Sequence, residues 1–204
     1  MRLDFYFDYA SPYAYLATLQ VPHLGVEVDY RPTAILDVMK AVNNQPSPAC
    51  PPKARYAGLD VQRWAQLLGY TVKANADYWQ ALSKGQIDLR TLIRGAMAAQ
   101  DLGVFQLYHE TIFTAVWGEP ADVVSEAGRN ALLAEAGVDT AALWRLAETP
   151  AIHDRLAART KEAAERGVFG VPTFFLDDEQ FFGQDRLEFV KMRIRQGRGG
   201  EKAA

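Results

Sequence analysis

The sequence is poor in the residues from which redox and metal sites are most often built. Of its 204 residues one is cysteine, Cys50, and three are histidines, His23, His109 and His153. A single cysteine excludes an intramolecular disulfide, a CxxC redox pair and a zinc site made of thiolates. The histidines are widely spaced and offer no pair with metal-ligand spacing. We therefore expect no metal site.

The sequence also has no excess of basic residues. Twenty-two Lys and Arg face 25 Asp and Glu, which gives a net charge of -3. A generally basic nucleic-acid-binding protein is not expected, because neutralising phosphates requires a cationic surface. Hydrophobic residues make up 49% and charged residues 23% of the chain, as in ordinary globular proteins. The length is sufficient for one large domain or two interleaved ones.

Long hydrophobic runs are missing as well. No stretch approaches the roughly 18 apolar residues of a membrane-spanning helix. The first fifteen residues contain Asp4 and Asp8 and lack the apolar core of a secretory signal. We therefore expect no membrane association and a cytoplasmic location.

The patterns that are present begin with a β-α-β unit. Residues 2–8 and 26–31 are rich in alternating apolar residues, which predicts two strands. Between them, Ser11 is a typical helix N-cap and Pro12 a typical first helical residue, which predicts a helix that stops near Pro22. The two strands are therefore expected to be parallel and joined by a right-handed crossover.

The middle of the chain has helical periodicity instead. The segment 41–53 is rich in proline and predicts an extended loop. Further along, four segments predict helices. They are marked by Leu89, Leu92, Ile93, Ala96 and Met97, by Phe105, Tyr108, Ile112 and Phe113, by Leu143 and Leu146, and by residues 153–165.

The C-terminal part returns to strands. Residues 171–176 and 180–182 are short apolar runs separated by a turn, and a last helix is expected after Gly183. Strands at both ends around a helical middle indicate an α/β protein with a thioredoxin-like fold and a large all-helical insertion. The expected thioredoxin-like domain is discontinuous. The expected parts are 1–34 with 168–197 for that domain, 35–167 for the helical insertion and 198–204 for a disordered tail.

In such a fold the turn after the first strand is where a reactive sulfur lies, at a helix N-terminus that stabilises an anion. Here Ser11 and Ala14 occupy the two cysteine positions of a CxxC motif, so this chain has no sulfur of its own there. The turn could instead bind a sulfur that a ligand brings, with the Ser11 hydroxyl as a donor. The simpler alternative is that Ser11 only caps the helix.

A second feature is the pair Val171 and Pro172 before the third strand. A proline at this place in the fold is usually cis, and cis X–Pro bonds are uncommon. It would leave the N–H and C=O of Val171 unpaired and able to bind an extended peptide-like ligand. The alternative is a proline that simply starts a strand.

Three motifs then carry a specific resemblance, over residues 2–195. They are FYFDYASPYAYLA near the start, NNQPSPACPPK in the loop and GVFGVPTFFLDDEQFFGQDRL near the end. The chain resembles the family of 2-hydroxychromene-2-carboxylate isomerases and kappa-class glutathione transferases, within the DsbA-like thioredoxin superfamily. The resemblance implies a glutathione-binding enzyme that is a homodimer.

The resemblance also implies site residues, all of them for glutathione. Ser11 would be catalytic and hydrogen-bond the sulfur. The other implied binding residues are Asn44 near the sulfur, Lys53 at the glycyl carboxylate, Val171 with Pro172 at the cysteinyl backbone, and Gln184 with Asp185 at the γ-glutamyl end. Gln184 differs from the serine of kappa transferases, so its contact with the ligand is left open.

The activity that the resemblance implies is the interconversion of 2-hydroxychromene-2-carboxylate and trans-o-hydroxybenzylidenepyruvate in aromatic catabolism. The glutathione thiolate would add reversibly to a double bond of this small aromatic acid. Two alternatives stay open at this point. One is a kappa-like transferase or peroxidase that consumes glutathione, and the other is a noncatalytic thioredoxin-like module that binds peptides.

Two further residues have open interpretations. Asp8 either anchors the turn before Ser11 or simply ends a strand at the solvent. Cys50 has no nearby base in the sequence, and we interpret it as incidental.

Overall fold

The computed structural model describes residues 1–201, with side chains up to residue 197. Its sheet has four strands in the order β2-β1-β3-β4, with β1 parallel to β2 and antiparallel to β3, and β3 antiparallel to β4. The strands are β1 (Arg2–Phe7), β2 (Glu27–Pro32), β3 (Thr173–Leu176) and β4 (Glu179–Phe182). The chain ends therefore build one sheet, and the expected thioredoxin-like layout is confirmed.

Helices fill the remainder of the described chain. They are α1 (Pro12–Gln20), α2 (Ile35–Ala41), α3 (Pro51–Leu68), α4 (Ala76–Ser83), α5 (Leu89–Asp101), α6 (Phe105–Trp117), α7 (Glu126–Glu135), α8 (Thr140–Ala147), α9 (Pro150–Glu165) and α10 (Leu187–Glu201). Short 3₁₀ turns cover residues 21–24, 47–49 and 184–186. The four helices predicted from periodicity correspond to α5, α6, α8 and α9.

The alternation of β1 distributes its side chains to two cores. Leu3, Phe5 and Phe7 are fully buried on the face that belongs to the larger core, which also contains residues of α1, α5 and α6. Tyr6 points to the other face, into a smaller core that includes Val38 of α2 and further side chains from α9. The central strand is therefore covered on both sides, and its C-terminal end delivers the chain to Ser11.

The expected extended loop over 41–53 is wrong in part. Helix α2 continues to Ala41, and α3 already begins at Pro51. Prolines at the first helical positions are compatible with a helix because the N–H groups there have no partner within the helix. The prolines that suggested a loop therefore start the longest helix of the described chain.

The expected disordered tail 198–204 lies partly in α10, which extends to Glu201. Residues 202–204 lie outside the described part of the chain. In that described part, no helix is both long and apolar enough to cross a membrane.

Candidate active site

Ser11 lies where the chain leaves β1 and enters α1. Its backbone is extended, with φ of −106° and ψ of 116°, and its Oγ accepts a hydrogen bond of 3.1 Å from the N–H of Ala14. The Ser11 N–H donates to the carbonyl oxygen of Asp8 at 3.1 Å. Ser11 is therefore an N-cap, and its hydroxyl proton remains available for another acceptor.

That acceptor is the carbonyl oxygen of Val171, 3.1 Å from Ser11 Oγ. The peptide bond between Val171 and Pro172 is cis, as expected. The expectation that both backbone groups of Val171 are unpaired is wrong for the carbonyl, because the hydroxyl from the opposite loop reaches it. Among the described residues, the Val171 N–H has no acceptor.

Asn44 connects the end of α2 to the loop before the cis proline. Its Nδ2 donates to the carbonyl oxygen of Phe169 at 2.7 Å, and its Oδ1 accepts from the N–H of Gln45 at 2.8 Å. The side chain is exposed, and a primary amide has two N–H groups. One N–H of the Asn44 amide therefore stays available to a ligand. The other binds Phe169, two residues before Val171 in the same loop.

The first half of α3 lies beside the start of α1. The Tyr13 hydroxyl donates to Asp60 Oδ2 at 2.9 Å, and the Tyr56 hydroxyl lies 3.5 Å from Asp60 Oδ1. Burial, followed by the contact with Asp60, raises the pKa of Tyr13. Lys53 lies three residues before Tyr56 and seven before Asp60, so the three residues lie on one face of α3. Its side chain is exposed and pairs with no acid among the described residues.

The turn at 184–186 contributes two residues in different ways. The Gln184 side chain is buried; its Oε1 accepts from Gln20 Nε2 at 3.2 Å, and its own Nε2 has no partner among the described residues. The Asp185 carboxylate is partly exposed and accepts from Arg186. Its charge also raises the pKa of Tyr13, so it lies on the same side as that hydroxyl. A ligand can therefore reach the side chain of Asp185. The side chain of Gln184 is buried, so a ligand can contact this residue only at its backbone.

Asp8 is a buried carboxylate immediately before this turn. Its Oδ1 accepts from the N–H of Ala10 at 2.8 Å, and its Oδ2 accepts from the N–H of Ile35 at 3.0 Å. Burial raises the pKa of Asp8 to about 6, and the nearby charge of Asp37 acts in the same direction, while the two N–H donors oppose them. Of the two interpretations that the sequence left open, the structure supports the anchoring one.

Behind the turn, a buried histidine holds Tyr9. Nδ1 of His109 lies 3.2 Å from the Tyr9 hydroxyl, and Nε2 lies 3.1 Å from Thr18 Oγ1. The Trp117 indole donates to the Tyr9 carbonyl oxygen at 2.8 Å. Burial lowers the pKa of His109 to about 3, so the ring is neutral at physiological pH. This side chain therefore supports the turn from within the core and has no access to solvent.

The structure thus links Ser11 and Asn44 to the loop 169–172 by hydrogen bonds and places Asp185 near Tyr13. Lys53 lies on α3, whose Asp60 binds Tyr13, but has no partner of its own among the described residues. Two residues of this region were missed from the sequence. Asp60 could have been found from its spacing to Lys53 on one helical face, whereas no local pattern points to Gln20 as the partner of Gln184.

The single cysteine and the two cavities described here do not involve Ser11. Cys50 is exposed at the N-cap of α3. Two cavities, of about 460 and 760 Å³, lie between β2 and the start of α6 and between α2, α5 and α9, and Ser11 lines neither. Within the described residues, no three His, Cys, Asp or Glu side chains are grouped so that they could hold a metal ion.

Known proteins match this chain over almost its whole length. The DSBA-like thioredoxin domain family matches residues 2–195. A 2-hydroxychromene-2-carboxylate isomerase from Pseudomonas putida is 34% identical over 193 residues, which cover 92% of this chain and 91% of that protein. The human glutathione S-transferase kappa 1 is 24% identical, over 92% of this chain and 88% of its own length.

Solved structures give the same result. A structure of 2-hydroxychromene-2-carboxylate isomerase superimposes with a TM-score of 0.83 at 30% identity, and the alignment covers 100% of both chains.

Proposed function

Because the chain belongs to the DSBA-like thioredoxin family and groups there with the 2-hydroxychromene-2-carboxylate isomerases, we propose that it is a glutathione-dependent isomerase. The proposed reaction interconverts 2-hydroxychromene-2-carboxylate and trans-o-hydroxybenzylidenepyruvate. The observation that carries the proposal is that a hydroxyl, Ser11 Oγ, lies 3.1 Å from the carbonyl of Val171 at a helix N-terminus where this fold otherwise has a cysteine.

The residues of the cleft fit glutathione as a ligand. The unpaired N–H of Val171 is suited to the backbone of the cysteinyl unit, because a buried donor without a partner is costly. The exposed ammonium of Lys53 and the partly exposed carboxylate of Asp185 are suited to the glycyl carboxylate and the γ-glutamyl ammonium. Asn44 has one amide hydrogen to offer near the sulfur.

Bound glutathione would supply a thiolate that adds reversibly to the activated double bond of the substrate and so permits rotation about it. The contribution of the chain is to keep that sulfur ionised. A thiol with a pKa of about 8.5 is mostly protonated at neutral pH, and lowering this value by two units takes about 2.7 kcal/mol of preferential stabilisation of the anion.

Ser11 is placed to provide part of that stabilisation. Its hydroxyl proton can turn from the carbonyl of Val171 to an anion, while its lone pair keeps the N–H of Ala14. The N-terminus of α1, where the N–H of Tyr13 has no acceptor among the described residues, adds its partial positive charge. The hydrogen bond to Val171 therefore keeps the hydroxyl oriented in the cleft before a ligand arrives.

The experiment that tests the proposal measures isomerisation of 2-hydroxychromene-2-carboxylate by ultraviolet absorbance, with and without added glutathione, on protein freed of thiols by gel filtration. We expect no activity without glutathione, restoration on its addition and no net loss of glutathione over many turnovers. Full activity in the absence of any thiol would refute the proposal.

A second candidate is supported by the similarity to human glutathione S-transferase kappa 1. A kappa-like transferase or peroxidase would use the same binding residues but consume glutathione. Stoichiometric loss of free thiol with a model electrophile or a hydroperoxide, together with no isomerisation of the chromene, would favour this candidate over the isomerase.

We also propose that the protein is a cytoplasmic homodimer. Tyr56, Leu59 and Leu67 of α3 are 59%, 60% and 73% exposed, which supports an interface along this helix. Light scattering of the wild-type protein and of Leu59→Arg tests this, because the charge would dissociate a dimer held by this helix.

A further inference from the structure

Three separate segments of the proposed site are joined by hydrogen bonds. They are the turn 8–11, the helix α2 with Asn44 after it, and the loop 169–172. The Ser11 hydroxyl joins the turn to the loop at Val171, and the Asn44 amide joins the loop at Phe169 to the end of α2. One further link, between α2 and the turn, would close a ring.

The Asp8 carboxylate is that link. One of its oxygens accepts the N–H of Ala10 within the turn, and the other accepts the N–H of Ile35, the first residue of α2. We propose that Asp8 is a positioning residue for thiol activation, whose two carboxylate oxygens fix the Ser11 turn against α2 and thereby aim the hydroxyl at the cleft. This inference rests on the proposed glutathione-dependent function.

The geometry requires a carboxylate rather than an amide. Both groups that Asp8 binds are N–H donors, so both of its oxygens must accept. Asparagine has one carbonyl oxygen and one NH₂ group, and the NH₂ would meet the second N–H donor to donor. A protonated carboxyl has the same defect, because its O–H also faces a donor.

The surroundings of Asp8 offer its charge no direct compensation. The charge of Asp37 on α2 raises the pKa of Asp8, and the charge of Asp8 in turn raises the pKa of Tyr9 in the turn and of Tyr78 on α4. Asp37 is itself paired with Arg90 of α5. Within the described residues, no cation pairs with Asp8. A buried carboxylate in such a place destabilises the fold, so its two directed hydrogen bonds are the property that explains its presence.

The test uses two variants that break the link in different ways. Asp8→Asn removes one acceptor and the charge, while Ile35→Pro keeps the charge and removes one donor. Because Ile35→Pro also truncates a buried side chain, it is compared with Ile35→Ala, which keeps the N–H. Proline is tolerated at the first position of a helix, and Ala34 before it is already outside the helical region, with φ of −75° and ψ of 87°. Glutathione is bound to each protein, and the pKa of the bound thiol is titrated by thiolate absorbance alongside the binding constant and kcat.

We expect both variants to raise the pKa of the bound thiol by about one unit and so to lower kcat about threefold at pH 7, because the thiolate fraction falls from about three quarters to about one quarter. Glutathione affinity should change by less than about threefold, because Asp8 touches neither Lys53 nor Asp185. The matched control is Asp37→Asn, which removes a negative charge beside Asp8 but leaves both of its hydrogen bonds. We expect the control to leave the pKa of the bound thiol unchanged.

Three results would overturn the inference. A thiol pKa that is unchanged in both variants would mean that Asp8 does not position Ser11. A thiol pKa that falls in Asp8→Asn would mean that Asp8 acts through its charge alone. A wild-type protein whose bound glutathione is not ionised at neutral pH would remove the proposed function itself, and that outcome is recognisable before any variant is made.

Discussion

The Ser11 hydroxyl donates a hydrogen bond of 3.1 Å to the carbonyl oxygen of Val171, which lies 160 residues later in the chain. This contact brings the start of α1 and the loop before β3 together at one edge of the sheet. The same oxygen atom of Ser11 accepts the N–H of Ala14. One hydroxyl therefore caps a helix and satisfies a loop carbonyl.

Substitution of Ser11 by alanine is expected to affect activation of the thiol more than binding of glutathione. A hydrogen bond to a charged group contributes about 1.5–3 kcal/mol, which corresponds to a rise of about one to two units in the pKa of the bound thiol. Affinity at neutral pH should change much less, because the rest of the tripeptide keeps its contacts. Thiolate absorbance and calorimetry measure the two effects separately.

The control for this variant is Ser11→Thr, which retains both the hydroxyl and the ability to cap α1. It should keep a low thiol pKa. If Ser11→Ala lost affinity and thiol activation to the same extent, the division of roles would be wrong, and if it lost only about 1 kcal/mol of stability, Ser11 would be a helix cap and nothing more.

Removal of the Asp185 carboxylate should weaken glutathione binding through the ammonium of the ligand. We expect Asp185→Asn to raise the Kd about tenfold or more, since a charge-assisted hydrogen bond is lost. A glutathione analogue without the α-amino group should bind the wild-type and variant proteins equally. Glu188→Gln is the matched control, because Glu188 is exposed and already paired with Lys191, and both residues lie in α10. Equal loss for both ligands would contradict the assignment.

The buried carboxylate of Asp8 should give the stability of the fold an unusual dependence on pH. Its pKa is about 6 in the folded chain and ordinarily 3.8. Between these values the folded state holds a proton that the unfolded state has released, so the free energy of unfolding falls as the pH rises. The fall from pH 4 to pH 7 is about 2 kcal/mol for this group alone.

Urea unfolding of wild type and Asp8→Asn across this range measures the effect. The difference between the two proteins should grow in favour of the variant as the pH rises from 4 to 7. A difference that is independent of pH would show that Asp8 is ionised throughout, as an ordinary surface carboxylate is.

His109 is expected to contribute with the opposite sign. Its pKa is about 3 in the folded chain and ordinarily 6.5, so below pH 6.5 the unfolded state binds a proton that the folded state excludes. This group therefore lowers the free energy of unfolding as the pH falls, by up to about 1.4 kcal/mol per pH unit. In His109→Gln, which keeps hydrogen bonding to Tyr9, the loss of stability between pH 6 and pH 4 should be smaller than in wild type. Parallel curves for the two proteins would contradict this.

The fold was largely predictable because its main signals are local. Ser11 and Pro12 mark a helix start wherever they occur before an apolar periodic segment, and the alternation in 2–8 indicates a strand without knowledge of its partners. The prediction failed at Pro51, because a proline cluster is compatible both with a loop and with the first turn of a helix. Only packing of α3 against α1 decides between them.

The site residues named from the sequence stay predictions, and several of their contacts could not be predicted from it. Neither the bond between Ser11 and Val171 nor the one between Gln184 and Gln20 has a local pattern, since each joins segments about 160 residues apart. The inward orientation of the Gln184 side chain could not be foreseen, because an amide is equally suited to the surface and to a buried partner.

The arrangement of β1 between β2 and β3 has a consequence for biosynthesis. A ribosome delivers the first strand and the serine turn early, but the strand that completes the other side of the sheet emerges only after the whole helical middle has been made. The contact between Ser11 and Val171 can consequently form only after that helical middle has been made. Any nascent chain released before Val171 would carry the hydroxyl without the carbonyl that orients it.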